Sequence, residues 1–157
     1  MKNPLKIVIV GASGKMGQVL IKEISNDPEL LLTGAIDQSS STDLGRDAGA
    51  LFGIKTNVII SDDFKSIIKK GDYVIDFTRP EASMGYLATC IENNIKYILG
   101  TTGFSDEEKV KISLASKQIP ICFAPNMSVG INLLVSLVES ATKVLYKDYD
   151  MEIIESH

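Results

Sequence analysis

The chain has 157 residues, a hydrophobic content of 45% and a formal net charge of −4 at pH 7. This length accommodates one full domain and the beginning of a second, and the hydrophobic content is ample for a core. The negative charge and the lack of a long basic run argue against a nucleic-acid partner. The apolar run after Pro4 is too short for a signal peptide or a membrane span, so we expect a cytoplasmic protein that contacts no membrane.

The first predicted elements are a strand, a glycine turn and a helix. The strand, Ile7 to Val10, consists of β-branched residues typical of a parallel sheet buried on both faces. The chain turns through Gly11 and Gly14 into a helix that ends near Asn26. Glycines at such a turn let a phosphate approach backbone N–H groups and the positive end of the helix. The spacing, G-x-x-G-x-x-G, differs from the commoner G-x-G-x-x-G of dinucleotide-binding proteins.

An acidic residue follows the second predicted strand, Leu31 to Ile36. This residue, Asp37, lies 20 positions after Gly17. A dinucleotide-binding fold places there the acid that holds the adenosine ribose hydroxyls. The alternative is an ordinary strand-to-helix turn followed by a solvated aspartate. Because strand, glycines, helix and acid occur in the expected order, we favour dinucleotide binding.

The next part of the chain continues the alternation of strands and helices. The polar stretch from Gln38 to Asp43, with the glycines that follow it, predicts a mobile loop beside the adenosine end of a cofactor. Further strands are predicted at Val58–Ile60, Tyr73–Phe77, Tyr97–Leu99 and Ile119–Phe123. Helices are predicted to begin with a Ser61 cap, a Thr78–Glu81 capping box and a Ser105–Glu108 capping box, and to end near Gly71, Asn93 and Lys117.

This alternation predicts an α/β fold with a Rossmann-type doubly wound parallel sheet. Ligands bind such sheets beyond the carboxyl ends of the strands. The segments predicted to meet there are Gly11–Gly17, Asp37, Phe77–Arg79, Gly100–Gly103 and Ala124–Met127. Each has a simpler explanation as well, since Thr78 and Ser105 can serve as caps only and Pro125-Asn126 as a turn. For Gly100–Gly103 we favour contact with a cofactor.

The character of the chain changes after Met127. A long apolar helix is predicted from Ile131 to Tyr146 with Ser128 at its start, and a strand from Asp150 to Ser156. We expect a dinucleotide-binding domain over residues 1–127 and the start of a second, mixed α/β domain over 128–157. The alternative is a terminal strand that joins the main sheet. The cysteines, Cys90 and Cys122, are expected to be buried, reduced thiols without metal-ligand spacing.

Several motifs in this order resemble the 4-hydroxy-tetrahydrodipicolinate reductase family of lysine and diaminopimelate biosynthesis. They are Gly11–Gly17, Asp76–Pro80, Gly100–Phe104, Ala124–Asn132 and Glu152–His157. The resemblance implies an oxidoreductase that reduces a small cyclic dicarboxylate, an imine or its hydrated precursor, with NADH or NADPH. It also implies a Rossmann domain followed by a substrate domain that builds a homotetramer.

The resemblance assigns roles to individual positions. His157 matches a histidine that the family uses as proton donor or acceptor, although a single terminal histidine is otherwise more often a frayed end. The pyrophosphate, the ribose and the nicotinamide side of the cofactor would be held by Gly11, Ala12, Ser13, Gly14, Lys15, Met16, Asp37, Gly100, Thr101, Thr102, Ala124, Pro125, Asn126 and Met127. No metal site is expected.

The sequence departs from the family pattern in two places. A second histidine, a lysine acid and a Ser-Gly-Thr loop follow the counterpart of His157 in the family and are not in this sequence, which predicts a truncated product or a fragment. Many members carry a basic residue after the ribose acid, where this chain has Gln38, so we favour NADH unless Lys15 or Arg46 holds a 2′-phosphate. Two functions stay open: the reductase, and a catalytically inactive dinucleotide-binding module.

Overall fold

The sheet has six strands, all parallel. The structure is a computed structural model that describes residues 3–154. The strands are β1 (Leu5–Val10), β2 (Leu30–Ile36), β3 (Ile60–Ser61), β4 (Tyr73–Asp76), β5 (Lys96–Leu99) and β6 (Ile121–Phe123), and the spatial order is β3-β2-β1-β4-β5-β6. The chain leaves β1 in one direction to β2 and β3 and returns beside β1 at β4, so the predicted doubly wound sheet is confirmed.

Every strand except β2 is followed by an α-helix. The helices are α1 (Lys15–Asn26), α2 (Phe64–Ile67), α3 (Pro80–Glu92), α4 (Asp106–Ala115) and α5 (Val129–Leu145). A 3₁₀ turn, Ile68–Lys70, continues α2, and a second one, Ala50–Phe52, lies in the loop after β2. None of the helices in residues 3–154 is both long enough and apolar enough to cross a membrane.

The core lies on both faces of the sheet, as the uninterrupted apolar run in β1 predicts. Ile7 and Ile9 pack on one face with Ile21 and Ile24 of α1. Val8 and Val10 point to the other face and pack in a cluster that includes Phe64, Ile68, Leu87, Cys90 and Ile112. Because successive side chains of a strand alternate between faces, a strand covered on both sides needs apolar residues throughout. This packing on both faces holds β1 in place and so fixes the position in the sheet at which the glycine turn begins.

The structure corrects two predicted helix starts. Asp63, and not Ser61, caps α2, accepting a hydrogen bond from Ser66 N at 3.1 Å. The predicted Thr78–Glu81 capping box is absent because α3 begins one residue later, with Arg79 as its N-cap. The Thr78 hydroxyl instead donates to the Asp76 carboxylate at 2.6 Å, a strong charge-assisted bond that orients this side chain toward Asp76. The Ser105–Glu108 capping box of α4 is confirmed.

The chain divides after Pro125 into two compact units. In the second unit, Ser128 caps α5 by accepting a hydrogen bond from Ile131 N, and no residue of α5 is buried. Residues 151–154 form no strand, so that part of the predicted strand is wrong, and its last two residues lie outside the described range. The predicted domain boundary between residues 127 and 128 stays a prediction. Cys90 is buried as expected, whereas Cys122 is exposed.

Candidate functional site

A cleft of about 380 Å³ opens at the carboxyl ends of β1, β2 and β4. Polar and apolar groups share its walls. They come from the glycine turn, the end of β2, the end of β4 and the first two turns of α3: Gly11, Gly14, Asp37, Gln38, Phe77, Thr78, Arg79, Ala82 and Tyr86. The structure therefore brings together the predicted glycine turn and the predicted ribose acid, at the edge of the sheet where parallel folds bind ligands.

The glycines of the turn serve different purposes. Gly11 has a φ of +73°, and a Cβ there would lie 2.8 Å from the Thr78 methyl carbon, Cγ2. A Cβ on Gly17 would lie 2.2 Å from the Gly11 carbonyl oxygen, so Gly17 is required for the close contact between α1 and the turn. Gly14 has an ordinary φ of −71° and ψ of 161°. Its position therefore does not demand glycine for backbone reasons, yet it lines the cleft.

The predicted ribose acid is bonded to the glycine turn. One carboxylate oxygen of Asp37, Oδ2, accepts from Ser13 N at 2.7 Å, and the other, Oδ1, accepts from Gln38 N at 2.8 Å. A carboxylate oxygen can accept more than one hydrogen bond, so both remain able to receive a ribose hydroxyl. The Ser13 and Ser41 hydroxyls lie 3.2 Å apart, which ties the turn to the following loop as well.

The two helices that begin at the cleft lack capping side chains. The N-terminus of α1, at Gly14, and that of α3, at Arg79, have no side-chain cap hydrogen bond. The other helices, α2, α4 and α5, are capped by Asp63, Ser105 and Ser128. An uncapped first turn leaves backbone N–H groups unsatisfied and exposes the positive end of the helix. Both features favour an anion in the cleft.

The basic residues near the cleft differ in their partners. Arg46 donates to Asp43 at 2.8 Å in an exposed ion pair. Arg79 lines the cleft and forms no ion pair within residues 3–154. Lys15 is exposed in the first turn of α1. Of these three residues, Arg79 is the one that lines the cleft. The sequence analysis placed Arg79 at a strand end but gave it no binding role.

A buried polar cluster lies behind the cleft, centred on the fully buried Asp76. Its Oδ1 accepts from Thr78 N at 2.7 Å, from the Thr78 hydroxyl at 2.6 Å and from the Thr101 hydroxyl at 3.2 Å. The Tyr97 hydroxyl donates to Oδ2, and the Ser83 hydroxyl donates to Thr101 Oγ1 at 3.0 Å. Burial, followed by the negative charge of Asp76, raises the pKa of Tyr97 far above its usual range, so this phenol stays a donor.

The other predicted cofactor contacts lie around this centre. Ala12 is buried under the turn, and Met16 is exposed on the first turn of α1. A Cβ on Gly100 would lie 2.0 Å from the Phe77 ring, so packing alone accounts for this glycine. The Thr101 hydroxyl faces the Asp76 cluster, while Thr102 is exposed.

The remaining predicted positions follow β6. Ala124 N donates to the Leu99 carbonyl at 3.1 Å, and Pro125 is exposed at the end of the first unit. Asn126 and Met127 belong to the second unit, where Asn126 Oδ1 accepts from Ser128 N at 2.9 Å. His157 lies outside the described residues. The binding roles of all these positions stay predictions.

Sequence reasoning placed Arg79 at this edge of the sheet but missed Ala82 and Tyr86, which α3 contributes to the cleft. Arg79, Ala82 and Tyr86 follow the i, i+3, i+7 spacing of one helix face, which was the available signal. The Tyr86 ring packs edge-on against Phe64, with ring centroids 4.8 Å apart. Burial, and then the charges of Asp76 and Asp37, raise the pKa of the Tyr86 hydroxyl.

The sequence of the chain decides its family. A family model described as "Dihydrodipicolinate reductase, N-terminus" matches residues 5–127. The chain belongs to the dihydrodipicolinate reductase family. The resemblance seen in the motifs is thereby confirmed, together with the expectation of a dinucleotide-binding reductase family.

Individual relatives of this reductase family agree. The 4-hydroxy-tetrahydrodipicolinate reductase of Paraburkholderia phymatum is 45% identical over 153 residues, which cover 98% of this chain and 58% of the relative. The reductase of Neisseria meningitidis serogroup C is 46% identical over 154 residues, covering 98% and 57%. The chain thus spans somewhat more than half the length of the curated relatives it matches.

Solved structures show the same fold. The dipicolinate-bound dihydrodipicolinate reductase from Paenisporosarcina sp. TG-14 matches with a TM-score of 0.71 and 26% identity, over 88% of this chain and 54% of that one. GenD2 from gentamicin A biosynthesis, solved in complex with NAD, matches with a TM-score of 0.59 and 16% identity, over 78% and 34%. The second likeness concerns the fold alone.

Proposed function

We propose that the cleft at the ends of β1, β2 and β4 binds NADH or NADPH, with a preference for NADH. The observation that carries this proposal is the uncapped start of α1 at Gly14, facing a cleft that Asp37 also lines. Backbone N–H groups in the first turn of α1 would bind the pyrophosphate, and the Asp37 carboxylate would accept the adenosine ribose hydroxyls.

The preference for NADH follows from the charges at the ribose end. Asp37 repels a 2′-phosphate, and the adjacent Gln38 adds no positive charge. Arg46 forms an ion pair with Asp43, which makes it less available to bind a 2′-phosphate. Arg79 and Lys15 favour NADPH instead, since neither has an ion-pair partner in residues 3–154 and either can offer its positive charge to a 2′-phosphate.

For the whole protein we propose reduction of 4-hydroxy-tetrahydrodipicolinate to tetrahydrodipicolinate in lysine and diaminopimelate biosynthesis. The names of the relatives and the family match support this activity. The reduced nicotinamide supplies a hydride to a ring carbon, and the substrate loses water and gains a proton. Gly100–Thr102 and Ala124–Met127 would border the nicotinamide, and His157 would donate or accept the proton near neutral pH.

The setting of the whole protein is part of the same proposal. We place it in the cytoplasm as a homotetramer, like the family that the motifs resemble. The state of the cysteines agrees with a reducing compartment, since Cys90 and Cys122 are both free thiols.

A non-catalytic dinucleotide-binding module is the second candidate for these 157 residues. It is favoured by the fact that the lining of the cleft comes entirely from residues between Gly11 and Tyr86, within the first compact unit. The proposed pyrophosphate and ribose contacts therefore require nothing from the second unit, whereas positioning of a substrate is a separate requirement.

Single-turnover kinetics distinguish the two candidates. The 157-residue chain is mixed with a stoichiometric amount of NADH and freshly generated substrate, and the loss of NADH absorbance is followed beside the Neisseria meningitidis reductase. Oxidation at a rate within tenfold of this control supports the reductase. NADH binding without oxidation supports the module, and a folded chain that binds neither NADH nor NADPH refutes the proposed cleft.

A further inference from the structure

We propose that Asp76 is a positioning residue for the cofactor cleft, acting through Thr78 and Thr101 without touching the cofactor itself. The inference rests on the proposed cofactor function. Asp76 is fully buried at the end of β4 and does not line the cleft. Its carboxylate nevertheless holds groups from two separate strand-end segments, so its influence on the cleft is indirect.

The first connection runs from Asp76 to the glycine turn. Thr78 is bound twice by Asp76 Oδ1, through its backbone N–H at 2.7 Å and its hydroxyl at 2.6 Å. With the hydroxyl fixed, the rotamer of Thr78 is fixed and the methyl group lies against Gly11, where a Cβ would approach it to 2.8 Å. The Thr78 methyl group thus limits the position of the glycine turn, and Asp76 holds the Thr78 side chain in the orientation that makes this contact.

The second connection runs from Asp76 to the end of β5. The Thr101 hydroxyl donates to Asp76 Oδ1 at 3.2 Å, and Gly100 N donates to the Asp76 carbonyl oxygen at 2.8 Å. Gly100 in turn leaves the space that the Phe77 ring occupies, since a Cβ would lie 2.0 Å from that ring. Phe77 lines the cleft. Residue 76 therefore joins the ends of β4 and β5 twice, through its side chain to Thr101 and through its backbone to Gly100.

The cluster is built for an acceptor at position 76. Four donors point at the carboxylate: Thr78 N, the Thr78 hydroxyl, the Thr101 hydroxyl and the Tyr97 hydroxyl. An asparagine would turn one acceptor oxygen into an N–H₂ group that faces donors. Even with its oxygen toward the threonines, the amide offers them an uncharged and therefore weaker acceptor than the carboxylate, so their hold on both segments would loosen.

Four variants test the inference, with NADH affinity and amide hydrogen exchange as readouts. Asp76→Asn places an amide in the centre of the cluster, and Thr78→Val removes the hydroxyl but keeps the methyl on Gly11. Thr101→Val removes the second hydroxyl, and Thr101→Ser retains it. Thr89→Val is the matched control, because the Thr89 hydroxyl is bonded only within α3, to the Gly85 carbonyl at 3.2 Å.

We expect Asp76→Asn to weaken NADH binding by roughly tenfold or more. This is the size expected if the displaced glycine turn loses one hydrogen bond to the charged pyrophosphate. Thr78→Val and Thr101→Val should weaken it by several-fold, while Thr101→Ser and Thr89→Val bind like the wild type. Exchange of the amides in residues 11–17 and 100–104 should accelerate in the weakened variants. A purely structural role would instead lower the melting temperature and accelerate exchange throughout the sheet, with no excess in these two segments and no specific loss of NADH affinity.

Hydrogen exchange separates this inference from the proposed function. Unchanged exchange in both segments of a folded Asp76→Asn chain overturns the positioning role, whatever the chain binds. If Asp76→Asn does not fold, unaltered exchange and affinity in Thr78→Val and Thr101→Val overturn it equally. Faster exchange in the variants, together with a wild type that binds no NADH, would instead refute the cofactor function and leave the structural connection standing.

Discussion

A leucine at position 14 should abolish cofactor binding and leave the fold intact. The backbone of Gly14, with φ of −71° and ψ of 161°, suits any L-residue. A Cβ there has one close neighbour, the Gly11 carbonyl oxygen at 3.2 Å, which can yield by a few tenths of an ångström. Leucine is a poor N-cap, so the free energy of unfolding should fall by about 1 kcal/mol. The fold survives a loss of this size.

The loss of binding should be much larger. The leucine side chain would project where a pyrophosphate has to approach the N–H groups at the start of α1. Loss of two hydrogen bonds to a charged group costs at least about 3 kcal/mol, or at least about 100-fold in the dissociation constant. By contrast, Gly11→Leu is uninformative, because its positive φ and the Thr78 methyl make it a folding variant.

The assay is NADH titration by fluorescence or calorimetry, with the melting temperature measured on the same samples. Gly85→Leu is the matched control. It adds the same side chain to a glycine of α3 that has open space around its Cβ position and does not line the cleft. A folded Gly14→Leu chain that binds NADH as tightly as Gly85→Leu would refute the role given to the glycine turn.

Three other predictions follow from the structure. NADH should bind more tightly than NADPH by a modest factor, and Asp37→Ala should narrow the gap; tighter binding of NADPH to the wild type at physiological salt contradicts this. Iodoacetamide should modify exposed Cys122 and spare Cys90 in the native chain, since burial raises the pKa of Cys90 to about 12; mass spectrometry of the peptides decides it. Hydrogen bonds from the Ser105 N–H and hydroxyl lower the pKa of Glu108, so the stability it adds exists above the usual glutamate range and is lost as the pH falls. Urea titrations of Glu108→Gln should therefore differ from the wild type at neutral pH and converge with it in acid.

The sequence predicted the parts of the site that depend on local patterns. The apolar run of β1, the glycines of the turn and the acid after β2 each obey a spacing rule, and the cleft contains Gly11, Gly14 and Asp37. Thr78 shows where this fails. Its spacing to Glu81 matches a capping box, but only the folded chain shows that α3 begins one residue later and that the Thr78 hydroxyl is oriented toward the buried Asp76 carboxylate.

Longer-range features were beyond the reach of pattern rules. Tyr86 lines the cleft because of how α3 packs on the sheet, and its helical spacing from Arg79 does not by itself say which face of α3 meets a ligand. A strand was predicted from Asp150 to Ser156, yet a strand is stable only when another strand pairs with it. In the described residues none pairs with 151–154.

The hydrogen bond between Asp37 and Ser13 has a consequence for redesign of coenzyme choice. Position 37 is commonly treated as an exchangeable selector, independent of the phosphate loop. In this chain Asp37 also holds the glycine turn in place, since its Oδ2 accepts a hydrogen bond from Ser13 N at 2.7 Å. An alanine removes both the repulsion of a 2′-phosphate and the hydrogen bond to Ser13. The gain in NADPH affinity is therefore partly cancelled, because the glycine turn then binds the pyrophosphate of either coenzyme less tightly. Asparagine keeps an acceptor for Ser13 without the charge, and is the better first substitution for admitting NADPH.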